Sequence, residues 1–251
     1  MIGISKQRQK YIQSLHIKKY RQQYGAFLVE GRKSIEELLA VSAESKISFE
    51  IEHLFLTETA VQLLGATAEK AELCTEKDLA KVSFYKTNTF GLAVVRMPNP
   101  PALAFGKNTW LVAVDGIKDP GNLGTIVRTA DWYGIKQVWC SEDTVDFYSP
   151  KVIASTMGSF TRIAVSYVDL SQELEKAGQP VYGAFLGGEN VHSVKFPESG
   201  ILLIGSESHG ISPEISEKVN HRITIPQFGR AESLNAGIAT AVLLDNLRRN
   251  P

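Results

Sequence analysis

Thr109-Trp-Leu-Val-Ala-Val-Asp-Gly-Ile-Lys-Asp-Pro-Gly-Asn-Leu-Gly-Thr-Ile-Val-Arg-Thr-Ala-Asp-Trp-Tyr-Gly134 is the stretch whose reading decides the fold. The run from Thr109 to Val114 is continuously apolar, as in a strand buried on both faces. Pro120-Gly121 predicts a turn, with Asn122 placed to cap a helix that runs to Tyr133. Leu123, Ile126, Val127 and Ala130 share its buried face. Arg128 falls roughly 140° round from Leu123 at ~100° per residue, and Trp132 lies opposite Leu123 by the same arithmetic. An outward Arg and an outward Trp on one helix suit an RNA contact or a subunit interface. A surface Arg beside a partly buried Trp accounts for this segment equally well.

Further strands are expected at 137–140, 162–165, 181–185, 201–204 and 222–225, with helical patterns between several of them. Strands alternating with helices mean crossover connections and a mainly parallel sheet. Ligands sit at the carboxyl ends of such strands, which directs attention to the loops after Val114, Ile204 and Ile225. Upstream, 5–24 reads as a helix with Ile12 and Leu15 inward. Phe27–Glu30, Ile51–Leu56 and Gly91–Val95 read as strands, separated by helices carrying Ile35, Leu38 and Leu39, then Val61, Leu63 and Leu64. Met97-Pro-Asn-Pro-Pro-Ala cannot continue a helix or a central strand. The expected division is a small α/β domain over 1–96, a linker over 97–107 and a larger α/β domain over 108–251.

Bulk properties narrow the function classes. No run is long and apolar enough to span a bilayer, and the N-terminal residues lack a signal-peptide core. Cys74 and Cys140 are the only cysteines, without metal spacing to any His, so a reduced cytoplasm is expected and neither a zinc site nor a disulfide framework is implied. The formal net charge is zero, but Lys6, Arg8, Lys10, Lys18, Lys19, Arg21, Arg32 and Lys33 lie close together against the single acid Glu30. Such a segment is either a phosphate-binding surface or a solvated basic helix.

The loop after Ile204 reads Gly205-Ser-Glu-Ser-His-Gly-Ile-Ser212. It approaches the nucleoside-triphosphate loop pattern, but Ile211 stands where the lysine must be. Neither serine sits in a hydrolase elbow, and His209 is a lone histidine of structural type. Glu207 at a strand end suits a ligand with hydroxyl or amine donors; a helix-capping turn is the plainer alternative.

The C-terminal stretch reads Ile223-Thr-Ile-Pro-Gln-Phe-Gly-Arg-Ala-Glu-Ser-Leu-Asn-Ala-Gly-Ile-Ala-Thr-Ala-Val-Leu-Leu-Asp-Asn-Leu247. It predicts a short strand, a loop and a helix capped by Ser233, with Leu234, Ile238 and Val242 as its buried stripe. Ala236, Gly237, Thr240 and Ala241 make another side that is nearly all small. A mid-helix Gly costs roughly 1 kcal/mol relative to Ala, so a close neighbour or ligand is expected there.

Three of these segments together resemble the signature of the SpoU (TrmH-type) RNA ribose 2′-O-methyltransferases: Asn122 with Arg128, Gly205-Ser-Glu207 with Gly210, and Ile225-Pro226 through Ser233-Leu234-Asn235. Each is a weak signal alone. In order, and each after a strand of one α/β domain, they make a specific match. The first hundred residues resemble the small L30e-like substrate-binding domain that many members carry, at Tyr20-Arg21 and Phe27-Leu-Val-Glu-Gly31. The resemblance implies a SPOUT fold with a deep trefoil knot, which ordinary topology rules disfavour. It also implies S-adenosylmethionine as cofactor, held around Gly205, Glu207, Ile225, Pro226, Leu234 and Asn235, and a homodimer without a metal. Arg128 would serve the active site of the other subunit, and Asn122, Glu207, Ser233 and Asn235 would complete the polar pocket. Ala236-Gly237 depart mildly from the family pattern. The implied substrate is RNA, with ribosomal RNA favoured. The alternatives are a tRNA ribose methyltransferase, a base methyltransferase, or a non-catalytic RNA-binding or ribosome-assembly protein.

Overall fold

A computed structural model describes residues 3–41, 47–99 and 109–249; residues 100–107 of the expected linker lie outside them. The chain divides into two units, the first formed by 1–99 with 146–162 and the second by 100–145 with 163–251.

The first unit begins with α1 (Lys6–Ser14) and α2 (Lys18–Tyr24), two helices where one was expected. The break follows from Arg21, whose Nη1 donates to the Leu15 carbonyl at 2.8 Å and so satisfies an orphan acceptor at the end of α1. Both expected core residues, Ile12 and Leu15, are fully buried. Strands β1 (Ala26–Glu30), β2 (Ile51–Leu56), β3 (Glu72–Leu73) and β4 (Gly91–Arg96) form one sheet in the order β1-β4-β2-β3. β4 is antiparallel to both its neighbours and β3 is parallel to β2. Helices α3 (Arg32–Leu39), α4 (Glu58–Leu64) and α5 (Glu76–Val82) connect them. The 146–162 segment carries α7 (Pro150–Ser155); the helix before it in sequence, α6 (Pro120–Trp132), belongs to the second unit. It brings Tyr148 within 4.7 Å and Phe160 within 6.2 Å of the Phe27 ring, centroid to centroid. Full burial of a side chain such as Phe27 is worth roughly 1.5–3 kcal/mol.

The second unit is a six-stranded sheet in the order β10-β8-β9-β5-β6-β7, and all its pairings are parallel. The strands are β5 (Trp110–Asp115), β6 (Gln137–Ser141), β7 (Ala164–Val168), β8 (Val181–Asn190), β9 (Gly200–Gly205) and β10 (His221–Thr224). Every residue of central β5 is buried, as its continuous apolar run predicts. β7 starts two residues later than expected, because Ser159–Thr161 close a 3-10 turn that carries the chain through Arg162. Helices α6 (Pro120–Trp132), α8 (Leu170–Ala177), α9 (Pro213–Ser216) and α10 (Ala236–Arg249) complete the unit.

Both helices that frame the expected site start differently from the sequence expectation. Asp119, not Asn122, caps α6: its Oδ1 accepts from Asn122 N at 3.0 Å, and Pro120 takes the first turn, where a missing N–H costs nothing. Asn235, not Ser233, caps α10, its Oδ1 accepting from Gly237 N at 3.0 Å and Ile238 N at 3.3 Å. The small side of α10 meets a close neighbour as expected, but the expected buried stripe does not hold at its start. Ala236, Gly237 and Thr240 are buried, whereas Leu234 and Ile238 are 46% and 55% exposed. α10 runs beside α6 in the same sense, from Thr125 against Gly237 to Tyr133 Oη donating to Asp245 at 3.3 Å. A Cβ on Gly237 would lie 2.8 Å from Thr125 Cγ2, so the small side is the one that meets α6.

Among the described residues no helix is long and apolar enough to cross a membrane. No group of three or more His, Cys, Asp or Glu is placed among them to hold a metal ion.

Candidate functional site

A cavity of about 730 Å³ opens at the carboxyl end of the parallel sheet, within the size range of small-molecule sites. Three glycine-bearing features shape it. The first is the turn after β9. Ser206 N donates to Gly210 O at 3.0 Å and Gly210 N returns to Ser206 O at 2.9 Å, closing a five-residue loop with Gly210 at φ 67°. A Cβ on Gly205 would meet Gly210 C at 2.1 Å, so only glycine lets the loop fold back on its own strand. The second is a break in β8. Gly183 pairs with Arg222, but the next β10 residue, Ile223, pairs with Glu189, so the β8 residues between them are skipped in the register. Gly188 meets the Arg222 carbonyl too closely for any side chain. Phe185, Leu186 and Gly187 of this bulge line the cavity. The third is the irregular segment from Ile225 to Asn235, which forms the rim.

Of the residues predicted from sequence, Gly205, Glu207, Ile225, Pro226, Ser233 and Leu234 line the cavity. Asn122 and Asn235 sit behind Glu207 in a chain of hydrogen bonds. Asn235 Nδ2 donates to Asn122 Oδ1 at 2.7 Å, and Asn122 Nδ2 donates to Glu207 Oε1. Each amide is thereby used at both ends, since Asn235 Oδ1 is committed to α10. Carboxylate, amides and helix terminus form one polar unit. Arg128 is exposed on α6 and is not among the cavity-lining residues of its own chain. Trp132, one turn further along the same face, is 84% exposed. His209 is exposed, its Nδ1 2.7 Å from Ser208 Oγ.

Below the loop, Asp115 Oδ2 accepts from Ser212 N at 2.7 Å and anchors the end of the turn. Beside it, Lys118 Nζ donates to Asp143 Oδ2 at 2.6 Å. That bond, with Ser141 Oγ donating to Asp143 Oδ1, holds the Asp143 carboxyl below its usual range.

The part of the site that sequence reading missed is the β8 bulge. Its one signal was Gly187-Gly188 directly after a strand, where paired glycines mark a bulge or a close backbone approach.

S-adenosylmethionine combines a flat base, a ribose with two hydroxyl donors and a charged tail. The cavity matches these needs with backbone edges at 204–206 and 224–226, apolar walls at Phe185, Leu186, Ile225 and Leu243, and the Glu207 carboxylate for hydroxyl donors. The residues fit the group.

Known proteins resemble this chain in sequence and fold. Residues 109–245 match the SpoU rRNA Methylase family, and residues 6–93 match the MRM3-like substrate binding domain. Over 249 residues the chain is 33% identical to the 23S rRNA (guanosine(2553)-2′-O)-methyltransferase RlmP of Bacillus subtilis, covering 96% of each. A solved structure described as a putative RNA methyltransferase of the TrmH family, from Porphyromonas gingivalis, is 35% identical with a TM-score of 0.84, covering 99% of both chains. An AdoMet-bound rRNA methyltransferase from Sinorhizobium meliloti is 27% identical with a TM-score of 0.85, covering 99% of this chain and 97% of that one. Fold and site thus define an α/β RNA methyltransferase of the SPOUT type. The chain belongs to the SpoU family of S-adenosylmethionine-dependent RNA 2′-O-methyltransferases.

Proposed function

We propose that this protein methylates a ribose 2′-hydroxyl of ribosomal RNA as a homodimer. The observation that carries the reading is the Glu207–Asn122–Asn235 chain of hydrogen bonds beside a glycine-shaped cavity. It gathers polar residues from three distant segments at one strand end. Bound in the cavity, S-adenosylmethionine supplies an electrophilic methyl group. Gly205, Ile225, Pro226 and Leu234 would hold the cofactor, with Gly205, Ile225 and Leu234 acting through backbone groups. Glu207 accepts from its hydroxyl or amine donors, Asn122 and Asn235 keep Glu207 in place, and Ser233 adds a hydroxyl at the rim. The reaction then needs alignment of the acceptor hydroxyl and removal of its proton. A guanidinium keeps its own proton up to a pKa above ~12. Arg128 therefore orients the acceptor's phosphate and stabilises developing charge on the 2′-oxygen.

Arg128 lies away from its own chain's cavity, so it reaches a site as part of a second copy. Exposed Trp132, Leu234 and Ile238 on α6 and around the start of α10 support that interface, large apolar residues being enriched there. The return of β10 beside β8 and the close approach of Gly237 to Thr125 are compatible with the trefoil knot of the family. The domain over 1–96 is read as the RNA-binding part. Its basic residues are partly committed: Arg8 pairs with Glu72, Arg21 with Asp146, Arg32 with Glu36 and Lys33 with Glu37. Lys6, Lys10, Lys18 and Lys19 remain exposed for phosphate. The full-length similarity to a 23S rRNA enzyme supports ribosomal RNA, and two buried thiols without a disulfide suit a reducing cytoplasm.

Labelled cofactor incubated with separated rRNA and tRNA tests the proposal. Label is expected in rRNA as one 2′-O-methyl nucleotide. Label confined to tRNA moves the assignment to that substrate, and cofactor binding without transfer to either overturns the activity. In the same assay Arg128→Ala should lose at least about a hundredfold in kcat, with cofactor affinity by calorimetry unchanged.

A further inference from the structure

Phe228 is 94% exposed, more than any other large hydrophobic among the described residues. It stands on the cavity rim in the segment between β10 and α10. The turn that carries it is fastened: Gln227 Nε2 donates to Gly229 O at 3.1 Å and to Ala231 O at 2.7 Å. A phenyl ring is therefore presented to solvent at the mouth of a ligand site by backbone that its neighbour ties down. Arg230, also exposed, follows two residues later.

We infer that Phe228 is the platform on which the base of the acceptor nucleotide stacks, and that the acceptor is an unpaired nucleotide. The inference rests on the methyltransfer proposed above. An acceptor nucleotide brings a ribose, a phosphate and a base to the rim. The ribose must reach into the cavity. Arg230 offers its charge to a flanking phosphate, and the flat apolar face of Phe228 is complementary to the base. Within an A-form duplex a base is already stacked on both faces and its 2′-hydroxyl lies along a shallow groove; proteins that stack bases on aromatic rings take them from loops, bulges and ends. A platform beside the methyl-donor cavity thus selects an acceptor that has left its stack.

The test uses the full-length protein and an rRNA fragment containing the mapped acceptor, made once with the natural base and once with an abasic ribose there. Phe228→Ala should lower kcat/KM about tenfold to a hundredfold on the natural fragment. Phe228→Trp should keep most of the activity and Phe228→Leu should not, because stacking needs the π face. Removing the base should cost the wild type a similar factor and cost Phe228→Ala little more, the signature of two groups acting through one contact. Cofactor affinity by calorimetry and oligomeric state by sedimentation should stay unchanged. Independent, multiplying losses overturn the inference, as does a loss that follows weakened cofactor binding or dimer dissociation. Wild-type transfer with undiminished Phe228→Ala activity overturns this inference alone. No transfer by the wild type overturns the underlying reading and this one with it.

Discussion

Asn235 uses one amide for two purposes. Its oxygen caps α10 and its nitrogen reaches Asn122, which in turn holds Glu207. Replacement therefore separates the purposes. Asn235→Ala should lower stability by about 1 kcal/mol for the lost cap and weaken cofactor binding as well. Asn235→Asp retains a capping oxygen, so it should melt near the wild-type temperature yet still bind cofactor poorly, because the donor to Asn122 is gone. Thermal denaturation read beside calorimetry checks the pair. Equal melting losses for both variants would show that the cap is not the main stabilising contact. Glu207 was legible in the sequence as an acid at a strand end, Asn122 as a polar residue at the start of a helix, and Asn235 only through the family resemblance. Which residue caps which helix was not. Asp119 and Asn122 lie within one turn of each other, as do Ser233 and Asn235, and any of the four has an oxygen able to accept from an orphan N–H. Only the competing partner decides, and Glu207 comes from 85 positions away in sequence.

At the level of elements, periodicity located α10 but buried the wrong apolar stripe, since Leu234 and Ile238 are exposed. An apolar stripe scores alike whether it enters its own core or meets another chain, since either removes the same area from water. The small face alone carried the answer, through the close packing that Gly237 permits against Thr125. Gly237→Leu should destabilise the fold by roughly 1–3 kcal/mol, the usual range for overpacking, and so shift the denaturant midpoint. Ile238→Asp acts on the opposite face. It should leave the circular dichroism and melting curve of the unit nearly intact while converting the proposed homodimer to a monomer by sedimentation. A stable dimer in that variant would move the interface away from α10. The central strands of the parallel sheet were readable because β5 and β9 are short apolar runs between turn signals. α5 went unread, although Thr75 and Asp78 form a reciprocal capping box at its start; its short, charged sequence gives too little apolar period to see. The β8 bulge was invisible for another reason, being defined by a register with β10 that no local pattern encodes.

For the molecule as a whole, the first unit is fastened by contacts between residues far apart in sequence. Arg21, almost fully buried, holds Asp146 at 2.5 Å, and Glu37 pairs with both Lys33 and Arg162. The bond from Lys33, reinforced by Arg162, keeps the Glu37 carboxyl below its ordinary value of 4.5. A carboxylate whose folded pKa is depressed contributes stability above its unfolded pKa and loses it as pH falls through the lower folded value. Glu37→Gln should thus melt earlier than the wild type at neutral pH, by about 0.5–1 kcal/mol for partly exposed pairs. The difference should close once the pH drops below the carboxylate range, which a series of melting curves would follow; a constant difference would exclude the ion pairs as its source. Prolines near residue 97 pointed to a boundary, but sequence gave no sign that Asp146–Arg162 packs with the first unit, because its contribution is a few aromatic and charged contacts at long separation. That arrangement has a consequence for synthesis. On the ribosome the strand bearing Phe27 emerges long before Tyr148 and Phe160, so the unit made first is completed late. Until residue 162 has cleared the exit tunnel, the nascent chain carries an uncovered aromatic surface, and its first hundred residues must wait for a strip of sequence not yet translated.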